Sequence, residues 1–400
     1  MPGGTSSSKP RDYRLDFFRG LALLLIFIAH VPDNWLARYR PGAFGFSDSA
    51  DIFVFISGYA VMMAYGQSFY RAGFIAGTAR IMKRCAQLYA CHIGLFFILA
   101  MICAAGNRYL NTSIDYIHLL NLEYFFEDTR EAMLGLFTLR YVPNYFDILT
   151  LYIVLLAMVP PLMLIMRLKA ELAMLACLAL YLAVRVFGLE LPAEIAYDRP
   201  WFFNPFAWQL LFFTGFFMSA GRLKPPPLRA GLTIFCAVYL IISLPLSHFP
   251  TYSHVTWLNG FRSQLDPLVI KTDLGILRWL HFLCLAYVAV ALLQGREHVL
   301  QNRLAFHIVK TGQQSLSVFV TGMALSFLAG MVLDITGRGI LCTVAVNAAG
   351  IILLISFAYI MAWFKSEPWR ARSRSEAPAG GSGQAVVFEA AGPGDGIKTV

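Results

Sequence analysis

Apolar runs long enough to cross a lipid bilayer recur along almost the whole of this 400-residue chain. A hydrocarbon core of about 30 Å requires a helix of about 20 apolar residues. Only helices and closed barrels satisfy their backbone groups in lipid, and uninterrupted apolar runs of this length suit helices. The sequence therefore predicts an all-α integral membrane protein, a polytopic bundle of about ten transmembrane helices. The predicted spans are 15–32, 50–66, 84–105, 145–166, 171–188, 204–221, 229–247, 273–294, 314–334 and 339–363.

The composition excludes a soluble protein. Hydrophobic residues make up 58% of the chain and charged residues only 14%, too few to cover a soluble surface. The net charge of +9 is typical of cytoplasmic loops in a membrane protein, so we expect the lipid bilayer as partner and no nucleic acid. The seven cysteines include no CxxC pair and lie mostly in apolar segments, and no metal is expected. The oligomeric state cannot be predicted.

The charged residues between the apolar runs predict how the chain is oriented. Lysine and arginine concentrate in one set of alternating connections, whereas most of the acidic residues fall in the other set. Because cytoplasmic loops carry the excess of Lys and Arg, this pattern predicts an even number of spans with both termini cytoplasmic. The small-residue-rich ends, 1–10 and 366–400, are predicted to be disordered cytoplasmic tails that flank a transmembrane domain at 11–365.

The first run, RLDFFRGLALLLIFIAH, contains three ionisable residues on one side of one helix: Asp16, Arg19 and His30. His30 lies eleven positions after Arg19, which places the two residues within about 20° around the helix and about 16 Å apart along it. A charge in lipid costs about 2.5–3.5 kcal/mol on insertion scales, so this stripe predicts a face toward protein or a water-filled cavity. The alternative is that Arg19 snorkels to the headgroups while His30 marks the outer interface.

The second run begins with two aspartates at a depth similar to that of His30. Asp48 and Asp51 open the stretch FSDSADIFVFISGY. A carboxylate beside a histidine can orient the ring and increase its basicity. We therefore predict that one of these two aspartates, Asp48 or Asp51, orients His30. The structural alternative is that Ser47, Asp48 or Ser49 simply caps the helix.

Further polar residues occur in or beside the other runs. Arg80 and Arg84 lie four residues apart on one helix face of RAGFIAGTARIMKRCAQLY, where they are suited to phosphate, although an ordinary basic cytoplasmic loop would look the same. The remaining candidates for substrate binding each have an ordinary structural explanation, but together they predict a polar interior. They are Asp147, Asn204, Gln209, Lys271, Arg278 and His281.

Several of these stretches carry a family resemblance. Arg19 and His30 reproduce the Arg-x10-His spacing of the acyltransferase 3 superfamily. SADIFVFISGY resembles its G-V-D-L-F-F-V-L-S-G-F run, and TGQQSLSVFVTG resembles its late G-x-x-S-Y-x-x-Y-L-x-x-H segment, with Gly322 in place of the histidine. FDILTLYIVLL, NPFAWQLLFFTG and KTDLGILRWLHF resemble one member family, OpgC, the osmoregulated periplasmic glucan succinyltransferases.

The resemblance implies an acyl-CoA-dependent O-acyltransferase of the bacterial inner membrane. An acyl group, succinyl by this resemblance, would pass from cytoplasmic acyl-CoA, here succinyl-CoA, to hydroxyls of a periplasmic glucan. His30 would accept the hydroxyl proton or carry the acyl group, with Asp51 and Arg19 as the other catalytic residues. Arg80 and Arg84 would meet the donor, and Asp16 would pair with Arg19.

Two other functions fit the same residues. One is an acyltransferase that acts on another acceptor, a lipid or an exopolysaccharide. The other is a transporter that moves a glucan or an anion without chemistry, since charges inside the membrane serve transport as readily as catalysis. Mass spectrometry of the glucans separates these readings, because a transporter changes the amount of glucan and an acyltransferase changes its mass.

Overall fold

The computed structural model describes residues 13–194 and 198–369. The predicted tails, 1–10 and 366–400, lie outside these residues apart from 366–369. Within them, the only strands are β1 (Pro192–Glu194) and β2 (Arg199–Pro200), which pair antiparallel. The α-helices are α1 (Tyr13–His30), α2 (Ser49–Arg71), α3 (Gly73–Tyr109), α4 (Tyr116–Leu119), α5 (Glu123–Glu127), α6 (Thr129–Phe137), α7 (Asp147–Ala157), α8 (Val159–Leu168), α9 (Ala170–Phe187), α10 (Pro205–Ser219), α11 (Ala230–Ser247), α12 (Phe249–His254), α13 (Thr256–Val269), α14 (Ile276–Leu293), α15 (Arg303–Gln313), α16 (Ser315–Thr336) and α17 (Ile340–Lys365).

Eight helical segments in this part of the chain are long and apolar enough to cross a membrane. They are α2, α3, α7 together with α8, α9, α11, α14, α16 and α17. The other two predicted spans correspond to α1, which carries three Arg and Asp side chains, and to α10, which has 15 residues. The all-α membrane bundle is confirmed, whereas the number ten and the cytoplasmic termini stay predictions.

Some helices differ from the predicted spans. Helix α3 has 37 residues, about 55 Å at 1.5 Å per residue, and therefore extends beyond a bilayer core. Its first turns contain Arg80, which the predicted span 84–105 left outside, and Arg84, with which that span began. The predicted span 145–166 is interrupted at Met158, between α7 and α8, where Pro160 follows. Proline lacks the backbone donor that would continue α7.

Glycines bring α1 and α2 into backbone contact with their neighbours. A Cβ atom at Gly58 of α2 would lie 1.9 Å from the carbonyl oxygen of Phe212 on α10. A Cβ at Gly312 of α15 would lie 1.9 Å from the carbonyl oxygen of Asp16 on α1. Small residues allow membrane helices to approach this closely. The two helices that carry the predicted catalytic residues are therefore held by direct backbone packing.

Candidate functional site

Helix α1 defines two ends of the bundle for the description of the site. The inner end is the end at which α1 begins, at Tyr13, and the outer end is the end at which it stops, at His30. The inner end is the one predicted to face the cytoplasm. Asp48, at the start of α2, lies 3.3 Å from Nη2 of Arg278, near the start of α14. The charge of Asp48 acts on His30, so these residues lie toward the outer end.

A central cavity of about 170 Å³ lies between α1, α2, α3, α7 and α16. Along α2 its lining runs from Tyr65 to Phe53, twelve residues that correspond to about 18 Å of helix. It is therefore narrow and elongated, and it extends from the inner end toward the level of Asp51. The lining residues are Arg19, Phe53, Ser57, Ala60, Val61, Ala64, Tyr65, Arg84, Leu88, Ile148, Leu149, Tyr152, Ser315, Leu316 and Phe319.

Arg19 and Arg84 are the charged side chains in this lining. Nη1 of Arg19 lies 3.5 Å from Oδ1 of Asp16, and Nη2 donates to the carbonyl oxygen of Ile56 at 3.5 Å. The predicted Asp16–Arg19 pair is therefore present. Because Asp16 is buried, Arg19 is held inside the bundle and does not snorkel to the headgroups. The cavity presents guanidinium groups to whatever enters it from the inner end.

Arg80 and Arg84 point to different surroundings although they lie one turn apart on α3. Arg84 lines the central cavity and donates to Oε1 of Gln87 at 3.3 Å. Arg80 donates to the hydroxyl of Ser68 and stacks over the ring of Tyr65, with 5.3 Å from its guanidinium carbon to the ring centroid. Only Arg84 of the predicted pair therefore faces the cavity directly.

His30 occupies the last turn of α1 at the outer end. Its Nδ1 lies 2.6 Å from the carbonyl oxygen of Ile26, which can only accept, so Nδ1 carries the proton of the neutral ring. The hydrogen bonds of the described residues leave Nε2 unpaired, as a basic or nucleophilic nitrogen requires. The ring of Tyr145 packs edge-on with 4.8 Å between centroids. Lys271 and Asp48 are close enough for their charges to act on His30.

The prediction that Asp51 orients His30 is wrong. Asp51 is fully buried, and Arg278 takes both of its carboxylate oxygens, Oδ1 from Nε at 3.0 Å and Oδ2 from Nη2. Oδ2 also accepts the backbone N–H of Asp48 at 2.7 Å, which completes a capping box at the start of α2. The forked guanidinium matches a carboxylate better than an imidazole does. The backbone of Ile26 orients His30 instead.

Asp48 pairs with Lys271 and Arg278 rather than with His30. Its Oδ1 caps α2 by accepting from the N–H of Ala50 at 2.8 Å, as the capping alternative predicts. Its Oδ2 accepts from Nζ of Lys271 at 2.6 Å and lies 3.3 Å from Nη2 of Arg278. Burial alone would raise the pKa of Asp48, but the positive charges of Lys271 and Arg278 outweigh it and hold the pKa below its usual range. Asp48, Asp51, Lys271 and Arg278 thus form one cluster of ion pairs whose formal charges cancel.

His281 lies beside this cluster through a partner that the sequence did not indicate. Its Nδ1 is 2.7 Å from the hydroxyl of Ser47. The ring also packs against the backbone of Gly45, where a Cβ would lie 2.5 Å from Nε2. His281 is buried, so it fixes the loop before α2 against α14. The loop FGFSDS offered one hint in the sequence, since its glycine and serines allow a side chain from another helix to approach its backbone closely.

Three predicted substrate-binding residues do not line the central cavity. Asn204 caps α10 through Oδ1, which accepts from the N–H of Phe206 at 3.1 Å. Gln209 ties α10 to α9 by donating to the carbonyl oxygen of Cys177 at 2.7 Å. The roles of Asn204 and Gln209 in substrate binding stay predictions. Asp147 begins α7 with a buried Oδ1 that has no hydrogen-bond partner among the described residues.

A second, outer cavity of about 340 Å³ lies between the loop 41–46, the end of α11, α13 and the start of α14. Arg262 and Asp266, which line it from α13, were missed because their amphipathic helix is too polar to register as a span. Arg262 donates through Nη1 to Oδ1 of Asp266. The lining residues are Gly42, Gly45, Phe46, Ser247, Arg262, Asp266, Val269, Ile270, Lys271 and Arg278.

Comparison with known proteins identifies the family. The family model described as OpgC protein matches residues 11–366, which include all of the helices above. Neither the curated proteins nor the solved structures gave a significant match. The wider acyltransferase 3 superfamily is compatible with this match but stays a prediction. The chain is a multi-pass membrane protein that belongs to the OpgC family, which is a family of glucan-modifying acyltransferases.

Proposed function

We propose that the protein transfers a succinyl group from succinyl-CoA at the inner end to a hydroxyl of a glucan at the outer end. The inner end faces the cytoplasm of a bacterium and the outer end faces the periplasm. The observation that carries the proposal is the arrangement of α1. It bears Arg19 in the central cavity and, at the outer end, a histidine whose Nε2 has no hydrogen-bond partner among the described residues. Family membership supports the same reaction class.

The central cavity suits the reactive arm of the donor and excludes its nucleotide. A cavity of about 150 Å³ holds a benzene molecule. The central cavity, at about 170 Å³, is barely larger but is drawn out along α2. A thin flexible chain with a terminal acyl group fits this shape, whereas the nucleotide stays outside, near Arg80. Arg19 and Arg84 then meet carbonyl oxygens of the arm that links the nucleotide to the thioester, while the acyl group lies beyond them toward the outer end.

His30 supplies the base at the outer end. Nε2 accepts the proton of the sugar hydroxyl as its oxygen attacks the thioester carbon. The carbon–sulfur bond breaks, an ester forms, and the thiolate of CoA takes the proton back from Nε2. In a two-step route Nε2 itself attacks the thioester and displaces the CoA thiolate, which leaves an acyl-imidazolium. The sugar hydroxyl then attacks that acyl group, the bond to Nε2 breaks, and the hydroxyl proton passes to the thiolate. In both routes the Nδ1–H bond to Ile26 holds the tautomer that leaves Nε2 available.

Replacement of His30 tests this proposal. In cells producing His30→Ala, mass spectrometry of periplasmic glucans should show loss of the succinyl-sized mass, with the amount of glucan unchanged. General-base catalysis contributes about 10²–10⁴-fold, so the residual substitution should be near the detection limit.

His307→Ala is the matched control, because His307 lies on α15 and contacts Tyr359 rather than the cluster. It should leave substitution at the wild-type level. Wild-type substitution in His30→Ala, at equal protein level, would contradict the role of His30. Loss of the glucan itself from the periplasm on deletion of the gene would instead favour transport.

A further inference from the structure

The outer cavity is large enough for a sugar ring. Its volume of about 340 Å³ is roughly twice that of a cavity of about 150 Å³ that holds benzene. Phe46 contributes an apolar wall, and Ser247, Arg262 and Asp266 contribute polar groups. A mixed lining of one aromatic face and several polar groups is the usual composition of a site for a small polar ring.

The charges in the lining favour a neutral ligand over an anion. Arg262 is paired with Asp266, Lys271 with Asp48, and Arg278 with Asp51. Each cation that lines the cavity therefore already has a carboxylate partner. An anionic ligand would have to displace a carboxylate, whereas sugar hydroxyls can donate to carboxylates and accept from cations without breaking these pairs.

Two buried polar atoms in the lining have no partner among the described residues. They are Nε of Arg262, a donor, and Oγ of Ser247, which both donates and accepts. Both residues line the outer cavity. Buried polar groups in folded proteins are nearly always hydrogen-bonded, so Arg262 and Ser247 keep hydrogen-bonding capacity that a hydroxyl-bearing ligand in the cavity can use when these side chains turn toward it.

The outer cavity lies toward the same end of the bundle as His30. Lys271 lines the cavity and bonds Asp48, and the charges of both residues act on His30. A ring held in the cavity therefore lies on the same side of the bundle as the group that would take its proton. We propose that the outer cavity binds a neutral hexose residue of the acceptor, held by Ser247 and by the Arg262–Asp266 pair. This assignment rests on the proposed function and names its acceptor subsite.

The test measures binding without transfer. Full-length protein carrying His30→Ala is solubilised and titrated with an unsubstituted glucan oligosaccharide by isothermal calorimetry. We expect it to bind, and we expect the added substitution Arg262→Gln to weaken binding at least tenfold. Arg130→Gln is the matched control, because Arg130 is an exposed arginine on α6, outside the cavity. It should leave the affinity unchanged.

A second variant guards against misfolding of the first. Ser247→Phe fills the cavity from α11 and should also abolish binding, while the thermal unfolding midpoint stays at the control value. Unchanged affinity in both variants would overturn the inference. Tighter binding of a uronic-acid oligosaccharide than of the neutral glucan would overturn it as well.

The two proposals fail in different ways. If the His30→Ala protein binds glucan in the cavity but the wild type transfers no acyl group, the acceptor subsite stands and the proposed reaction is wrong. If the wild type transfers succinyl and Arg262→Gln keeps the wild-type KM for glucan, the reaction stands and the subsite is wrong. A raised KM with little change in kcat is the result expected for a binding residue.

Discussion

The partner of each carboxylate is the decisive fact at the residue scale. Asp51 binds Arg278 through two nitrogens and simultaneously closes the capping box of α2. The sequence places Asp51 near the depth of His30, but its partner comes from a helix 227 residues away. Which cation reaches a buried carboxylate depends on how α14 is rotated against α2, and local spacing carries no information on that rotation.

Removing the charge of Asp51 should destabilise the protein strongly. Asp51→Asn leaves Arg278 buried with a neutral partner, and breaking a buried ion pair in this way costs about 3–5 kcal/mol. The measurement is thermal and denaturant unfolding of the solubilised protein.

Asp266→Asn provides the comparison for that experiment. Asp266 also pairs with an arginine, but 63% of its side chain is exposed. Exposed pairs contribute about 0–1 kcal/mol, so this variant should unfold close to the wild type. Equal destabilisation by the two substitutions would show that Arg278 does not depend on Asp51.

At the scale of elements, the long apolar helices were predictable and the amphipathic ones were not. Runs of about 20 apolar residues have one stable solution in lipid, and the structure has helices at those places. Helices α12, α13 and α15 are short or amphipathic, so the criterion of apolar length passes over them. The same criterion began the span of α3 eleven residues too late at its inner end, since the basic residues of its first turns look like a loop. Arg262 and the outer cavity were missed because α13 is one of these amphipathic helices.

The contact between α2 and α10 should fail if Gly58 gains a side chain. In Gly58→Ala the new Cβ would lie 1.9 Å from a backbone oxygen of Phe212, so one helix must move away from the other. We expect a lower yield of monodisperse protein in size-exclusion chromatography and a lower unfolding temperature.

Gly94 supplies the control on α3. A Cβ at Gly94 meets no atom within 4 Å. Alanine is also favoured over glycine in a helix by about 1 kcal/mol. Gly94→Ala should therefore match or exceed the stability of the wild type, and a loss as large as that of Gly58→Ala would mean that helix contact is not the cause.

At the scale of the whole molecule, the two cavities lie toward different ends of one bundle. The central cavity begins among Arg19, Tyr65 and Arg84, whereas the outer cavity lies under the loop 41–46 and α13. The neutral cluster around Asp48 and Asp51 lies at the outer end. Under the proposed function, donor and acceptor then approach from opposite sides of the membrane and meet near His30.

Thiol labelling of whole cells tests this orientation. In a background lacking the two partly exposed cysteines, Cys91 and Cys342, single cysteines are placed at exposed positions on each side. Glu127→Cys, in α5, should react with a membrane-impermeant maleimide in intact cells, because α5 belongs to the predicted periplasmic side. Lys224→Cys, between α10 and α11, should react only after permeabilisation. The reverse pattern would place succinyl-CoA on the wrong side of the bundle.

One unbroken helix carries both Arg19 and His30, and this sets a minimum reach for any acyl donor. The 18 residues of α1 contain no interruption, so the separation of about 16 Å does not change when the surrounding loops move. A donor anchored near Arg19 can deliver its acyl carbon to His30 only if its arm is at least that long. Compact activated acids, such as acyl phosphates, would be rejected by their length alone, whichever acyl group they carried.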